Sequence, residues 1–427
     1  MKKLSILLFA LVLPVVLFAA GGQETVSEDE DVSIRVLSRW SDEMPTSIYF
    51  REVIEEINSA DNGIIIEGEH INDEASYLDK LRTQFAIGEY PNVFYEYGGS
   101  RIVDYVESGL LMDLQPALDA DPAWRDSYLP LFDKWQYDQF PGTFGIPAEF
   151  YAVTIFYNEE IFNKVGVSVP STLGEFEMVC DKLLAAGYVP LALGEKDVWR
   201  AGHFLNNLVM KSFGSQGVKD LADRNMSYDD PKMVALYTKI QEYFEKGYFG
   251  KDAVTVDYNM EQAMFQNEES AMHMDGSWYC GNAAKSEIAT KIKAFPFPAV
   301  NNANANSFQG GAGGGWSIVD TDERHNAAAV EFVKTVSNPD FFKVLQIRNK
   351  GGVYPAVFKS DASVVDTVTI SHAAAIANAS EFRDDIQTYD NLSSMLDTCR
   401  TALQGLFIGK TPSDTAAQIM AEIKANE

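Results

Sequence analysis

The sequence predicts an α/β fold in two lobes, and three observations carry that expectation. Its 427 residues exceed what one hydrophobic core usually organises. From residue 33 onward strand-like and helix-like segments alternate, the pattern of a parallel sheet covered by helices. From the stretch GTFGIPAEF a second region repeats the alternation, and 46% of the residues are apolar, enough to fill two cores.

The chain opens MKKLSILLFALVLPVVLFAAGGQE: two lysines, an uncharged apolar run to Phe18, then Ala19, Ala20, Gly21 and Gly22. This pattern predicts a secretory signal peptide over 1–22, with a retained membrane anchor as the alternative. Pro14 and the small-residue exit favour cleavage. An acidic stretch to residue 31 reads as a solvated tether. A bacterial lipoprotein carries a lipid-bearing Cys directly after the small residues; none stands there, so a lipid anchor is not supported and a free periplasmic protein is expected.

SIRVLSRW (33 to 40) reads as the first strand. A helix follows with Ile48, Val53, Ile54 and Ile57 on one face, stopped by the DNG at 61 to 63. IIIEGEH is the second strand. ASYLDKLRTQFAIG puts Leu78, Leu81, Phe85 and Ala86 on one helical face with Gly88 as its stop, and NVFYEY is the third strand.

In the second region GTFGIPAEF and AVTIFYN read as strands able to pass between lobes. STLGEFEMVCDKLLAAG is a helix with a Thr172-x-x-Glu175 capping box. DDPKMVALYTKIQEYFEKG is another, with Asp230 as N-cap, Pro231 at its first position and Gly247 at its end.

Three cysteines, Cys180, Cys280 and Cys399, allow at most one bridge in an oxidising compartment. Cys180, four residues after Phe176 on an apolar stripe, is expected as a buried thiol. A formal charge of −28 disfavours nucleic acid and anionic lipid as partners and favours a neutral or cationic ligand.

Five scattered histidines show no metal-binding spacing, so neither a metal nor a cofactor is expected. The GKT at 409 to 411 lacks the upstream glycine of a phosphate loop; Thr411, Pro412 and Asp414 read instead as the start of the last helix. No G-x-S-x-G elbow is present, and FQGGAGGGWSIVD runs from glycines into a strand.

Candidate site residues come from acids and aromatic rings at strand ends. In AMHMDGSWYC, Met272 and Met274 should point to one side of a strand and Ala271, His273 and Asp275 to the other, with Gly276 releasing the chain toward Trp278. Ligand sites of open α/β sheets lie at such strand ends. A pyranose needs an aromatic face for its C–H surface and carboxylate acceptors for its hydroxyls. The same pairing recurs at Trp40 and Asp42, Tyr97, Glu149, Trp199 and His203, and Trp316. Each alone is also explained by a core ring or a solvated acid.

Four stretches resemble the extracellular solute-binding proteins of sugar ABC transporters, family 1, the maltodextrin- and raffinose-type group. They are YPNVFYEYGGSRIVDYVESGLLMDL, GIPAEFYAVTIFYNEEIFNKVGVSVPSTLGEF, ESAMHMDGSWYCG, and the segment from GGGWSIVDTDERH to NKGGVYPA. Phe176 stands where that family usually has Trp. The resemblance implies a two-lobed periplasmic-binding-protein fold of the type II-like, maltodextrin-binding kind, with hinge-crossing strands. Carried onto this chain, lobe 1 is 32–143 with 301–350 and lobe 2 is 147–297 with 352–427. Crossovers fall at 144–150, 298–312 and 351–355.

The resemblance also implies a monomer without enzymatic activity that closes on a carbohydrate and delivers it to permease subunits driven by an ATPase. Trp40, Trp199, Trp278 and Trp316 are then the stacking candidates, Asp42, Glu149 and Asp275 the acceptors, and His203 an adaptable partner, with Tyr97 beside them. Two alternatives stay open: a secreted glycoside hydrolase, and a binder of a cationic ligand such as a polyamine or peptide.

Overall fold

The computed structural model describes residues 31–129, 131–359 and 363–426. The expected signal peptide, and the acidic tether up to Glu30, lie outside the described residues.

Strand β1 (Val32–Ser38) pairs in parallel with β2 (Ile64–His70) and β3 (Val93–Glu96). Helices Pro45–Ser59 and Glu74–Ile87 connect them, burying Phe50, Val53 and Ile54 from the first and Tyr77, Leu81 and Phe85 from the second. Ala86 faces solvent instead, and Gln84 takes the buried position in that turn. Gly88 ends the second helix at φ 77°, a left-handed conformation that favours glycine.

The first sheet is mixed rather than parallel: after β2, β1 and β3 come β10 (Gly315–Ile318) and then β4 (Ile146–Pro147). Strands β4 and β10 are lengths of chain passing between lobes, and β10 runs antiparallel to both β3 and β4. A strand that returns from the other lobe has no helical crossover to restore its direction.

In the second sheet the long strand β5 (Phe150–Asn158) is central. On one side it pairs with β7 (Ser270–Gly276), which pairs in turn with β6 (Val189–Ala192). On the other it meets β8 (Ile292–Phe295) along 155–158 and β9 (Ser307–Ala312) along 150–152. Strand β11 (Glu381–Arg383) extends β9 in parallel.

These pairings move two of the expected crossovers. Because β9 fills the part of the β5 edge that β8 leaves free, the chain stays with the second sheet through Ala312 and crosses at the following glycines. Near 355, Tyr128 bridges Ala356 and Val357 N donates to Ser127 O at 2.7 Å, so the chain is still on the first lobe there.

Each sheet has its own core. Ile34, Val36, Phe50, Phe94 and Phe332 fill the first; Val153, Ile155, Phe204, Met272 and Met274 fill the second. The predicted capping box at Thr172 and Glu175 is present, and at the last helix the Thr411 hydroxyl accepts from Asp414 N at 3.1 Å. All three cysteines are free and buried.

Candidate functional site

The second lobe carries a group of aromatic rings where β7 ends. After Gly276 a tight turn, Ser277–Tyr279, turns Trp278 outward, and its indole is 42% exposed. The ring folds back over Gly276, where a Cβ would stand 2.3 Å from it. A side chain at 276 would displace the Trp278 ring from this position.

Ring centroids of Tyr151, His203 and Trp199 lie 5.3, 5.9 and 6.5 Å from that of Trp278. Trp199 also packs on Tyr258 at 5.1 Å, and the Trp278 indole N–H donates to the Tyr258 hydroxyl at 3.0 Å. Val198, just before Trp199, has φ 68°, a strained conformation for a β-branched residue. Such strain is typical of functional sites.

Beneath the rings lies a buried ionic cluster. Arg200 donates to both Glu261 oxygens, at 2.7 and 2.9 Å, and to Asp275 at 3.4 Å. His273 lies between Glu261 and Asp275, 3.0 and 2.8 Å from them. Burial alone would raise both acids; Arg200 and His273 outweigh it and hold them below the usual carboxylate range. Burial opposes a charge on His273, but its two carboxylates prevail and raise it.

Between the lobes, Lys134 of the first pairs with Asp384 of the second, which also accepts from the Tyr151 hydroxyl. Asp385 accepts from Asn206 at 2.6 Å and from Arg400 at 2.8 Å. His203 lies 3.8 Å from Asp385, and burial pushes its pKa down to about 4, so it is neutral near pH 7. Its Nδ1 has no hydrogen-bond partner among the described residues.

The first-lobe side is polar. Arg39 donates to Glu74 at 3.0 Å and to the Tyr97 hydroxyl, and Arg101 stacks over the Tyr97 ring at 4.9 Å. Tyr95 donates to Glu149 at 2.7 Å. Glu149 and Tyr151 stand two residues apart on the extended crossing chain, which brings this group next to the aromatic one.

Of the residues expected from sequence, Trp199, His203 and Trp278 come together in one place, and Tyr97 and Glu149 share the first-lobe polar group. Three expectations need correction. Trp316 is 0% exposed, sandwiched against Phe50 at 5.3 Å and meeting Trp40 edge-on at 5.2 Å. Trp40 is 8% exposed in the same core, so neither indole presents a face to a ligand. Asp275 is 0% exposed, and its two oxygens already accept from Arg200, Gly276 N, His273 and Tyr258. It has no capacity left for a sugar hydroxyl. Asp42 stands beside the start of helix Pro45–Ser59, where it accepts from Met44 N at 3.1 Å.

Sequence reasoning missed Tyr258, Arg39, Lys134 and the Asp384–Asp385 pair. Their neighbours here are far away in the chain. Tyr151 was within reach, since it stands in the same PAEFY stretch as Glu149.

Comparison with known proteins gives a consistent result. Residues 45–341 match the family model described as bacterial extracellular solute-binding protein. A probable sugar-binding periplasmic protein of Mesorhizobium japonicum is 25% identical over 53% of this chain and 54% of its own length. The chain spans about half the length of the curated relatives it matches. Among solved structures, a chitin oligosaccharide binding protein superposes with a TM-score of 0.84 at 21% identity, covering 93% of this chain and 99% of that one. The binding protein RafE in complex with raffinose gives 0.73 at 17% identity, covering 91% and 98%. At such identities the likeness speaks for the fold alone. With the family match covering more than half of the sequence, the chain belongs to the bacterial extracellular solute-binding protein family.

Proposed function

We propose that the protein captures a neutral sugar or oligosaccharide between its lobes and hands it to the membrane permease of an ABC importer driven by its ATPase. The observation that carries this reading is the exposed Trp278 indole, set among Trp199, Tyr151 and Tyr258 and adjoining a polar first-lobe group. Aromatic faces take the C–H surface of a pyranose while Arg39, Tyr97 and Glu149 serve its hydroxyls. Micromolar capture requires a net of about 8 kcal/mol, within reach of a few desolvated stacking and charge-assisted contacts.

The reading is capture without chemistry. Asp275, Asp384 and Asp385 are each engaged by cationic partners, whereas glycoside hydrolysis needs two carboxyl groups free to face the scissile bond. The Mesorhizobium relative, described as sugar-binding and periplasmic, supports both the ligand class and an exported location. We expect a periplasmic monomer. The test is to titrate the purified protein with a panel of oligosaccharides, following tryptophan fluorescence and assaying the same mixtures for reducing ends. Saturable quenching by an uncleaved sugar is expected; cleavage, or silence toward every sugar together with a response to polyamines or peptides, overturns the reading.

A further inference from the structure

An indole as exposed as that of Trp278 would ordinarily sample several orientations and lose that freedom when a ligand stacks on it. Here it is held from below. Its N–H donates to the Tyr258 hydroxyl at 3.0 Å, and that hydroxyl is 2.7 Å from Asp275 Oδ2. The direction of the relay is fixed by charge. An ionised Asp275 can only accept, so the Tyr258 proton points to it and the phenolic lone pairs are turned toward the indole.

Each support of this relay is itself anchored. Asp275 is fixed by Arg200, His273 and the Gly276 N–H. Arg200 lies 4.5 Å under the Trp199 ring and 5.5 Å under that of Tyr258. Tyr258 opens helix Tyr258–Gln266, capped by Asp257, and its own N–H donates at 2.9 Å to Asp197 in the loop that carries Trp199. Four ionisable side chains, Arg200, Glu261, His273 and Asp275, are thus buried where apolar groups of equal volume would often be no less stable. What the cluster touches on its outward side is these rings.

We infer that Tyr258, seated on Asp275, is a positioning residue that pre-orients Trp278 as the stacking surface for the ligand. The inference rests on the proposed capture of a sugar by Trp278. Because the relay consumes the indole N–H and the phenolic O–H, the surface offers ring faces and no donor from these two groups. It therefore selects for the C–H-rich side of a pyranose and leaves hydroxyl recognition to the first lobe.

The test compares wild type, Tyr258→Phe, Trp278→Ala and the double variant. In 1H–15N spectra the Trp278 indole signal, identified by its loss in Trp278→Ala, should shift in Tyr258→Phe and exchange faster with solvent. Sugar affinity of Tyr258→Phe should fall about tenfold, and the same change made on top of Trp278→Ala should cost nothing further. An unmoved indole signal overturns the inference. So does an equal loss in the Trp278→Ala background, which would mean that Tyr258 meets the ligand on its own account. If wild type binds no sugar, the capture reading fails together with the ligand half of the inference, and the ligand-free indole signal still decides whether Tyr258 holds Trp278.

Discussion

Gly99 and Thr388 meet across the two lobes with no room for a side chain: a Cβ on Gly99 would stand 2.2 Å from the Thr388 carbonyl oxygen. Gly99 also has φ 59° and accepts at its own carbonyl from the Tyr137 hydroxyl at 2.8 Å. Close by, Arg383 of the second lobe donates to Asp133 of the first at 2.8 Å. A methyl group at 99 pushes on backbone, which cannot swing aside. Gly99→Ala should therefore hold the lobes apart, weakening sugar affinity about tenfold or more and enlarging the radius of gyration in X-ray scattering. Unchanged values in both would show that ligand binding does not use this contact.

Trp278 and Trp316, each shortly after a glycine, should behave oppositely when truncated. Trp316→Ala empties a core site and should cost about 3–5 kcal/mol of stability in chemical denaturation. Trp278→Ala, at an exposed ring, should leave the denaturation midpoint nearly unchanged and lower sugar affinity at least tenfold. A stability loss at 278 as large as at 316 would place that ring in the fold rather than in the site.

Lys134 is buried at the crossing, with its ammonium donating to the Ala312 and Gly313 carbonyls at 3.0 and 2.8 Å and paired with Asp384. Removing the charge leaves a buried carboxylate and two carbonyls without their donor. Lys134→Met should destabilise by about 3–5 kcal/mol, and adding Asp384→Asn should recover part of that loss. Urea denaturation of the two variants and wild type measures both steps.

Glu195 gives a pH signature. Burial, opposed by its hydrogen bond from Ala201 N and by Arg200, pushes its carboxyl up to about 8 from an ordinary 4.5. Between those values the folded chain keeps a proton that the unfolded chain releases. The stabilising contribution is thus complete below about pH 4.5 and is lost as pH rises toward 8, at up to about 1.4 kcal/mol per pH unit. Glu195→Gln lacks this titration, so its stability relative to wild type should grow from pH 5 to pH 8. Parallel urea midpoints across that range would mean that Glu195 ionises in the folded protein as it does in water.

Local periodicity made most elements legible. The alternation in AMHMD separates Met272 and Met274, which enter the second core, from His273 and Asp275 in the ionic cluster, although Ala271, expected on the side of His273, joins the methionines in that core. It could not tell which acids and rings stay available to a ligand. Asp275 is engaged by Arg200, 75 positions away, and Trp316 is covered by Phe50 from a distant helix. Trp278 and Trp316 look alike in sequence, each an indole shortly after glycine. What lies across from them decides their exposure, and that is a property of tertiary packing. The sheets turned out mixed for a similar reason: strand direction at a lobe crossing depends on where the chain returns from, which period-2 patterning does not encode.

The repeated crossings also bear on how the chain reaches its native state. The first sheet is unfinished until β10 arrives, and the second until β11 pairs with β9, so Tyr151 waits for an Asp384 that is 233 residues downstream. Neither sheet is built from one continuous stretch of chain. Acquisition of structure is dominated by sequence-distant encounters and is correspondingly slow, and a chain truncated before residue 381 would present the bare edge of β9 to its neighbours.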